Sequence, residues 1–296
     1  MKTKRVPAQR AALAVLALSL SPSAFAAWEW QFTSGTNASC TGTGACPWGN
    51  TRSASNSPAI GQPTVSASAI SNTGGTNGTQ AVPNTSSTTG YLQSAYLTTW
   101  GTSGLGVINR DAYTVNNNGT ATDGGSVDNV EGASSEHSMD SNQRYDAILF
   151  SFSQAVTLTG VRIGWSTTDS DITVLAYKPT GSGDCLPSTI GGAGSASCKW
   201  GSLTGWQAVG NYTDLATGVN TPVNGGANPY SSNYWIVATY IPAYGGGYTS
   251  ANDYVKLVSI YGDIGRPPGQ VPEPSSALLL GAAAFGFWSA RRRKLQ

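Results

Sequence analysis

The chain has little charge and almost no histidine. Of its 296 residues only 10% are charged, one is His and four are Cys. No two cysteines stand as a tight CxxC pair, so with a single histidine the usual ligand set of a zinc site is missing. No G-x-S-x-G elbow is present to display a nucleophilic serine, and the Asp-x-Asp-x-Asn-Gly order of an EF-hand is absent. Between the two chain ends no stretch repeats apolar residues at the helical period, which argues against a helical core. The apolar run from Ser275 to Ala290 has sixteen residues. A helix of that length reaches about 24 Å, short of a hydrocarbon core of roughly 30 Å.

Both chain ends carry targeting chemistry. Residues 1–26 combine the basic Lys2, Lys4, Arg5 and Arg10 with an apolar core from Ala11 to Leu20 and a small-x-small site at Ala24, Phe25 and Ala26. That order is a secretory signal peptide for the general secretory translocase, and it predicts an oxidising, extracytoplasmic destination. The other end, residues 272–296, runs from Pro272, Glu273 and Pro274 through the apolar stretch to Arg291, Arg292, Arg293 and Lys294. The basic cluster should stay cytoplasmic, which leaves the two prolines as an extended, accessible segment at the outer membrane surface. Tripeptide, short apolar helix and Arg cluster resemble the PEP-CTERM sorting signal of exosortase substrates. The resemblance implies transient insertion in the inner membrane, cleavage near Pro272 to Pro274 by an exosortase, and release to the cell surface or exterior, often alongside extracellular polysaccharide.

Removing both targeting segments changes the sign of the chain. Eight basic residues then face fourteen acidic ones, a net charge of −6, which speaks against nucleic acid and anionic membranes as partners. Residues 27–263 are expected to form one β domain, with 27–90 loop-rich and 264–271 a linker. Trp28, Trp30 and Phe32 alternate with polar residues as a first strand. Arg144 to Phe152, Val156 to Trp165, Ile172 to Lys178, Tyr234 to Ile241 and Tyr254 to Tyr261 read as further strands separated by polar turns. A phase slip at Gly160 predicts a β-bulge, and Tyr234 to Ile241, apolar on both faces, predicts a central strand. The expected fold is all-β: an antiparallel, jelly-roll-like β-sandwich with long polar loops.

Candidate sites are fewer. Proximity pairs Cys40 with Cys46 and Cys185 with Cys198, each stapling a polar loop. Residues 123–146 hold Asp123, Asp128, Glu131, Glu136, Asp140 and Asp146 against Arg144 alone, together with His137. With GLGVINRD, DAILFSF and GWSTTDSDITVLAYK, this region resembles the XDP-type exosortase-dependent surface proteins over about residues 105–264. That implies a β-rich surface protein of unassigned biochemistry. The acidic residues suit structural Ca²⁺, with Asp123, Asp128 and Asp140 as the first candidate ligands beside Asn129 and Asp146, and Asp169 and Asp171 if the loops meet. A glycoside hydrolase would need a carboxylate pair from Glu131, Glu136 and Asp140, and a serine hydrolase, for which the elbow is missing, would need His137 as its base. Among thirteen Tyr and nine Trp, Tyr244 and Tyr248 in the loop PAYGGGY are the expected exposed rings for carbohydrate contact. The leading expectation is a non-enzymatic exported surface or matrix protein. A carbohydrate-binding module retained in extracellular polysaccharide is the alternative, and a secreted hydrolase the weakest reading.

Overall fold

The computed structural model describes residues 27–37, 48–74, 90–109, 113–115, 121–123, 137–142, 144–190 and 198–264. Among the described residues there are fifteen strands: β1 (Trp28–Gln31), β2 (Thr51–Ser53), β3 (Val65–Gly74), β4 (Tyr91–Ser94), β5 (Tyr96–Thr99), β6 (Leu105–Ile108), β7 (Tyr113–Val115), β8 (Ala121–Asp123), β9 (Met139–Asp140), β10 (Asp146–Thr168), β11 (Ile172–Tyr177), β12 (Trp206–Tyr212), β13 (Asn220–Pro222), β14 (Ser232–Thr239) and β15 (Asp253–Asp263). β7 and β8 form a separate hairpin, and the other thirteen share one open antiparallel sheet with the main order β12-β11-β14-β10-β15-β6-β5. Among the described residues no helix is long and apolar enough to cross a membrane. The expected signal peptide, the sorting tail and all of the expected linker but Ile264 lie outside the described residues.

The organising strand is β10. Its first part, Asp146 to Phe152, pairs with β3 on one side and, through Ser151, with β14 on the other, whereas Thr157 to Thr168 pairs with β15. The sequence reads this stretch as two strands joined by a turn. It is one strand of 23 residues, and the expected turn is a register shift against β14 between Ser151 and Val156. Drawn straight, it would span about 75 Å, so it has to bend within a domain of this size. It does so where Ser153, Gln154 and Ala155 are exposed and bury no apolar group. The bulge expected at Gly160 is present, with the pairing to β15 slipping between Leu158 and Gly160. A Cβ there would run into the Asn220 side chain.

Bending brings the two halves of the sheet around one core. Trp30 meets Phe152 edge-on with centroids 5.0 Å apart, and Phe32 meets Phe150 at 5.6 Å. Val65, Ala67 and Ala69 of β3, Trp235 and Val237 of β14, and Val255, Leu257 and Ile260 of β15 fill the same cluster. β14 is central as expected: Trp235 and Val237 face this core, while Ile236 and Ala238 face a second cluster on the opposite side. That second cluster is roofed by the segment stapled by Cys185 and Cys198, whose Cα atoms are 5.6 Å apart, and by Trp200, Leu203 and Ile190. Cys40 and Cys46 lie outside the described residues.

The region expected to be loop-rich, 27–90, contributes one of the longest strands. β3 runs for ten residues and lies directly against β10. Val65, Ala67 and Ala69 make one buried face, while Ser66 and Ser68 lie on the other until Ile70 joins the second cluster, so the first part of the strand alternates in size rather than in strong hydrophobicity.

Candidate functional site

Two chain reversals meet at one corner of the sheet. Asp169 and Asp171 occupy the turn from β10 to β11, and Asp253 is the first residue of β15. The backbone of Asp169 bridges that of Asp253 in a parallel sense, the one parallel contact in this antiparallel frame among the described residues. Tyr254 N–H donates to the Asp169 carbonyl at 3.2 Å. Three non-glycine residues around this corner hold left-handed backbone: Thr168 at φ 61°, Asp214 at φ 51° and Ala251 at φ 70°. Each such residue stores strain on the order of 1 kcal/mol or more, and the β-branched Thr168 is the least suited to it.

The result is a set of three carboxylates that each bring one oxygen to within 4.8 Å of the others'. Asp253 is fully buried and Asp171 is 3% exposed. Asp253 accepts from Asp171 N–H at 2.9 Å and from the Ser141 hydroxyl at 2.9 Å. Asp171 accepts from Asp214 N–H at 2.8 Å. Asp169 accepts from Ser170 N–H at 2.8 Å, Asn252 Nδ2 at 3.2 Å and the Thr249 hydroxyl at 3.3 Å. Among the described residues none of the three forms an ion pair. Burial pushes the Asp253 carboxyl up to about 7, against the hydrogen bonds it accepts and helped by the neighbouring charges of Asp171 and Asp169. Asp171 is raised too, by burial first and then by the charge of Asp169. Like charges this close are stabilised by a shared proton or by a hard cation, and all-oxygen ligands suit Ca²⁺.

Of the residues singled out by sequence for a metal, Asp169 and Asp171 do come together. Asp140 stands on the neighbouring β9, fully buried, with its carboxyl accepting from Asn142 N–H at 3.0 Å, and it is not one of the three converging acids. Asp123 ends β8, and Asp128, Glu131 and Glu136 lie outside the described residues. Asp253 has no signal of its own in the sequence: it lies 82 positions beyond Asp171, where no local spacing could connect them.

His137 is stacked on Trp100, with centroids 3.7 Å apart. Burial and the neighbouring Lys256 hold its imidazole down at about 4. Lys256 itself lies 3.9 Å from the centre of the Trp165 ring, and burial lowers it to about 8. The two expected carbohydrate-contact rings differ. Tyr248 is 40% exposed and packs edge-on against Tyr240 at 5.3 Å. Tyr244 instead packs against the second core cluster, and burial pushes its hydroxyl up to about 12.

Pro272, Glu273, Pro274, Arg291, Arg292 and Arg293 lie outside the described residues, and comparison with known proteins bears on them directly. No curated protein and no solved structure matches the chain. Residues 270–294 match the PEP-CTERM protein-sorting motif. The chain therefore carries an exosortase-directed sorting signal, which implies export through the membrane to the cell surface or the extracellular space.

Proposed function

We propose that this is a non-enzymatic protein of the cell surface or extracellular matrix, delivered by the general secretory translocase and cleaved beside Pro272 to Pro274 by an exosortase. The match over 270–294 supports this reading. The apolar run after the tripeptide, at sixteen residues, is too short for a permanent anchor, so it serves as a handle that is discarded. The mature object is then the bent, sandwich-like β domain, jelly-roll-like in kind, belonging with the XDP-type surface proteins that its central segments resemble. A catalytic role finds little support, since Asp140, one of the three acids available for a glycosidase pair, is sealed in the interior. To test delivery, Pro272, Glu273 and Pro274 are replaced together by Ala in the producing cell. The altered chain should accumulate uncleaved in the membrane fraction. Unchanged release would remove the tripeptide from the processing step.

A second reading concerns the aspartate corner. Asp169, Asp171 and Asp253 hold a structural Ca²⁺ that ties the β10–β11 turn to the start of β15. The observation favouring it is the convergence of two buried carboxylates and one half-buried one without a basic partner. Calorimetric titration of the chain with Ca²⁺ should show one site per chain that disappears in Asp171→Asn. An absence of heat with the unaltered chain would rule it out.

A further inference from the structure

The face of the sheet that carries the second core cluster is only partly roofed. One register row across six strands reads Ala208, Leu175, Ile236, Leu149, Ser68 and Thr51, from β12 through β11, β14, β10 and β3 to β2. Its first four members belong to or pack against the cluster under the disulfide-stapled segment. The next row on the same face is Trp206, Tyr177, Tyr234, Ser151, Ser66 and Ser53. Tyr177 falls beside Tyr234 because the preceding residue, Ala176, pairs with Trp235. All six are half-buried or exposed.

This row has a definite chemistry. Three aromatic rings follow one another, Tyr177 tilted by 57° to Trp206 at 5.3 Å and edge-on to Tyr234 at 6.0 Å. Three serines continue the line. The rings are held in place: the Trp206 indole N–H donates to the Cys185 carbonyl at 2.8 Å, and Asp184 engages the Tyr177 hydroxyl. Within the described residues no hydrogen bond engages the hydroxyls of Ser151, Ser66 or Ser53. The row itself bears no charge in a domain whose net charge is −6. At about 4.8 Å per strand its five steps extend about 24 Å across the sheet.

We propose that this row binds a neutral polysaccharide chain laid across the strands, its sugars packed against Trp206, Tyr177 and Tyr234 and its hydroxyls bonded by Ser151, Ser66 and Ser53. Rigid aromatic rings supply apolar contact at low entropic cost, and free hydroxyls supply the directional bonds that a polyhydroxylated ligand needs. A neutral row within an anionic domain selects against uronate-rich polymers, which both the domain and its Asp184 would repel. The proposal rests on the export reading only in that export places this face among extracellular polymers.

The test is native affinity electrophoresis of the full-length chain in gels containing β-glucan, galactan, mannan or the producing cell's own neutral polysaccharide, with alginate as the anionic control. At least one neutral polymer should retard the chain, and alginate should not. Tyr234→Ala should weaken that retardation at least tenfold. Because a truncated aromatic could disturb folding, Ser151→Asp and Ser66→Asp provide a second arm. Each places a charge on the row without touching the core, and each should weaken retardation to a similar degree with an unaltered melting curve. Tyr248→Ala should leave binding unchanged. The proposal is overturned if no neutral polymer retards the chain, if only alginate does, or if the row variants bind like the parent. Loss of retardation in Tyr248→Ala alone would move the site to the loop after β14 and also overturn it. These outcomes do not depend on tail cleavage, so failure here and failure of export are told apart.

Discussion

Replacing Asp253 by Asn separates the two effects that meet at the aspartate corner, repulsion among buried carboxylates and attraction for a cation. An unfolded Asp titrates near 3.9, and burial raises Asp253 in the folded chain to about 7. In the metal-free protein the folded state therefore holds more protons than the unfolded state between those values. The stabilising contribution is complete below about pH 4 and is lost as pH rises through about 7. Three units of difference correspond to on the order of 4 kcal/mol. The amide introduced by Asp253→Asn would keep an acceptor for Asp171 N–H and a donor for the Ser141 oxygen while carrying no charge. In EDTA at about pH 8, Asp253→Asn should therefore be more stable than the parent, with the difference vanishing at about pH 4. Calcium narrows the gap. At a hundred times its Kd the ion adds about 2.7 kcal/mol to the parent, or about 5 to 11 °C in Tm for a domain of this size, and adds nothing to the variant. Differential scanning calorimetry of both chains, in EDTA and in excess Ca²⁺, reads all four states. A parent with the same Tm in both buffers at pH 8 would refute the cation, and a variant less stable than the parent in EDTA would refute the repulsion.

Other expectations follow from packing and titration. Phe150→Ala empties the space between the two halves of the sheet, where Phe150 is fully buried against Phe32. It should cost about 3–5 kcal/mol, read by urea unfolding. Opening the Cys185–Cys198 bridge, which closes a separation of 13 residues, should lower stability by about 3 kcal/mol on the chain-entropy estimate. His137 should stay neutral down to about pH 4. Its folded value is depressed, so its contribution to stability is present above about pH 6.5 and lost as pH falls toward 4. NMR titration of the single imidazole checks this, and a midpoint near 6.5 would mean that Trp100 and Lys256 do not enclose it.

Strands rich in β-branched and aromatic residues were legible in the sequence because each carries its own pattern. Trp28, Trp30 and Phe32 alternate, and Tyr234 to Ile241 is apolar throughout, so the first and the central strand could be read without partners. β3 could not. With Ala67 and Ala69 as its inward residues and Ser66 and Ser68 outward, it looks like a polar loop until β10 lies beside it. The continuity of β10 was hidden for the converse reason: Ser153, Gln154 and Ala155 have the composition of a turn, yet the strand bends through them without reversing. The aspartate corner was half legible. Asp169 and Asp171 are neighbours in a turn, but Asp253 joins them only through the topology that sets the start of β15 against the end of β10. The aromatic and serine row was invisible in the same way, since each of its six strands contributes a single residue.

Export with removal of the tail is tested most directly by intact mass and terminal peptide mapping of the protein recovered from the surface and medium of its producing cells. A chain that begins near Ala27 and ends near Pro272 to Pro274 is the expected result. A chain that still ends at Gln296 in the membrane fraction would contradict it, and would make the tail an anchor.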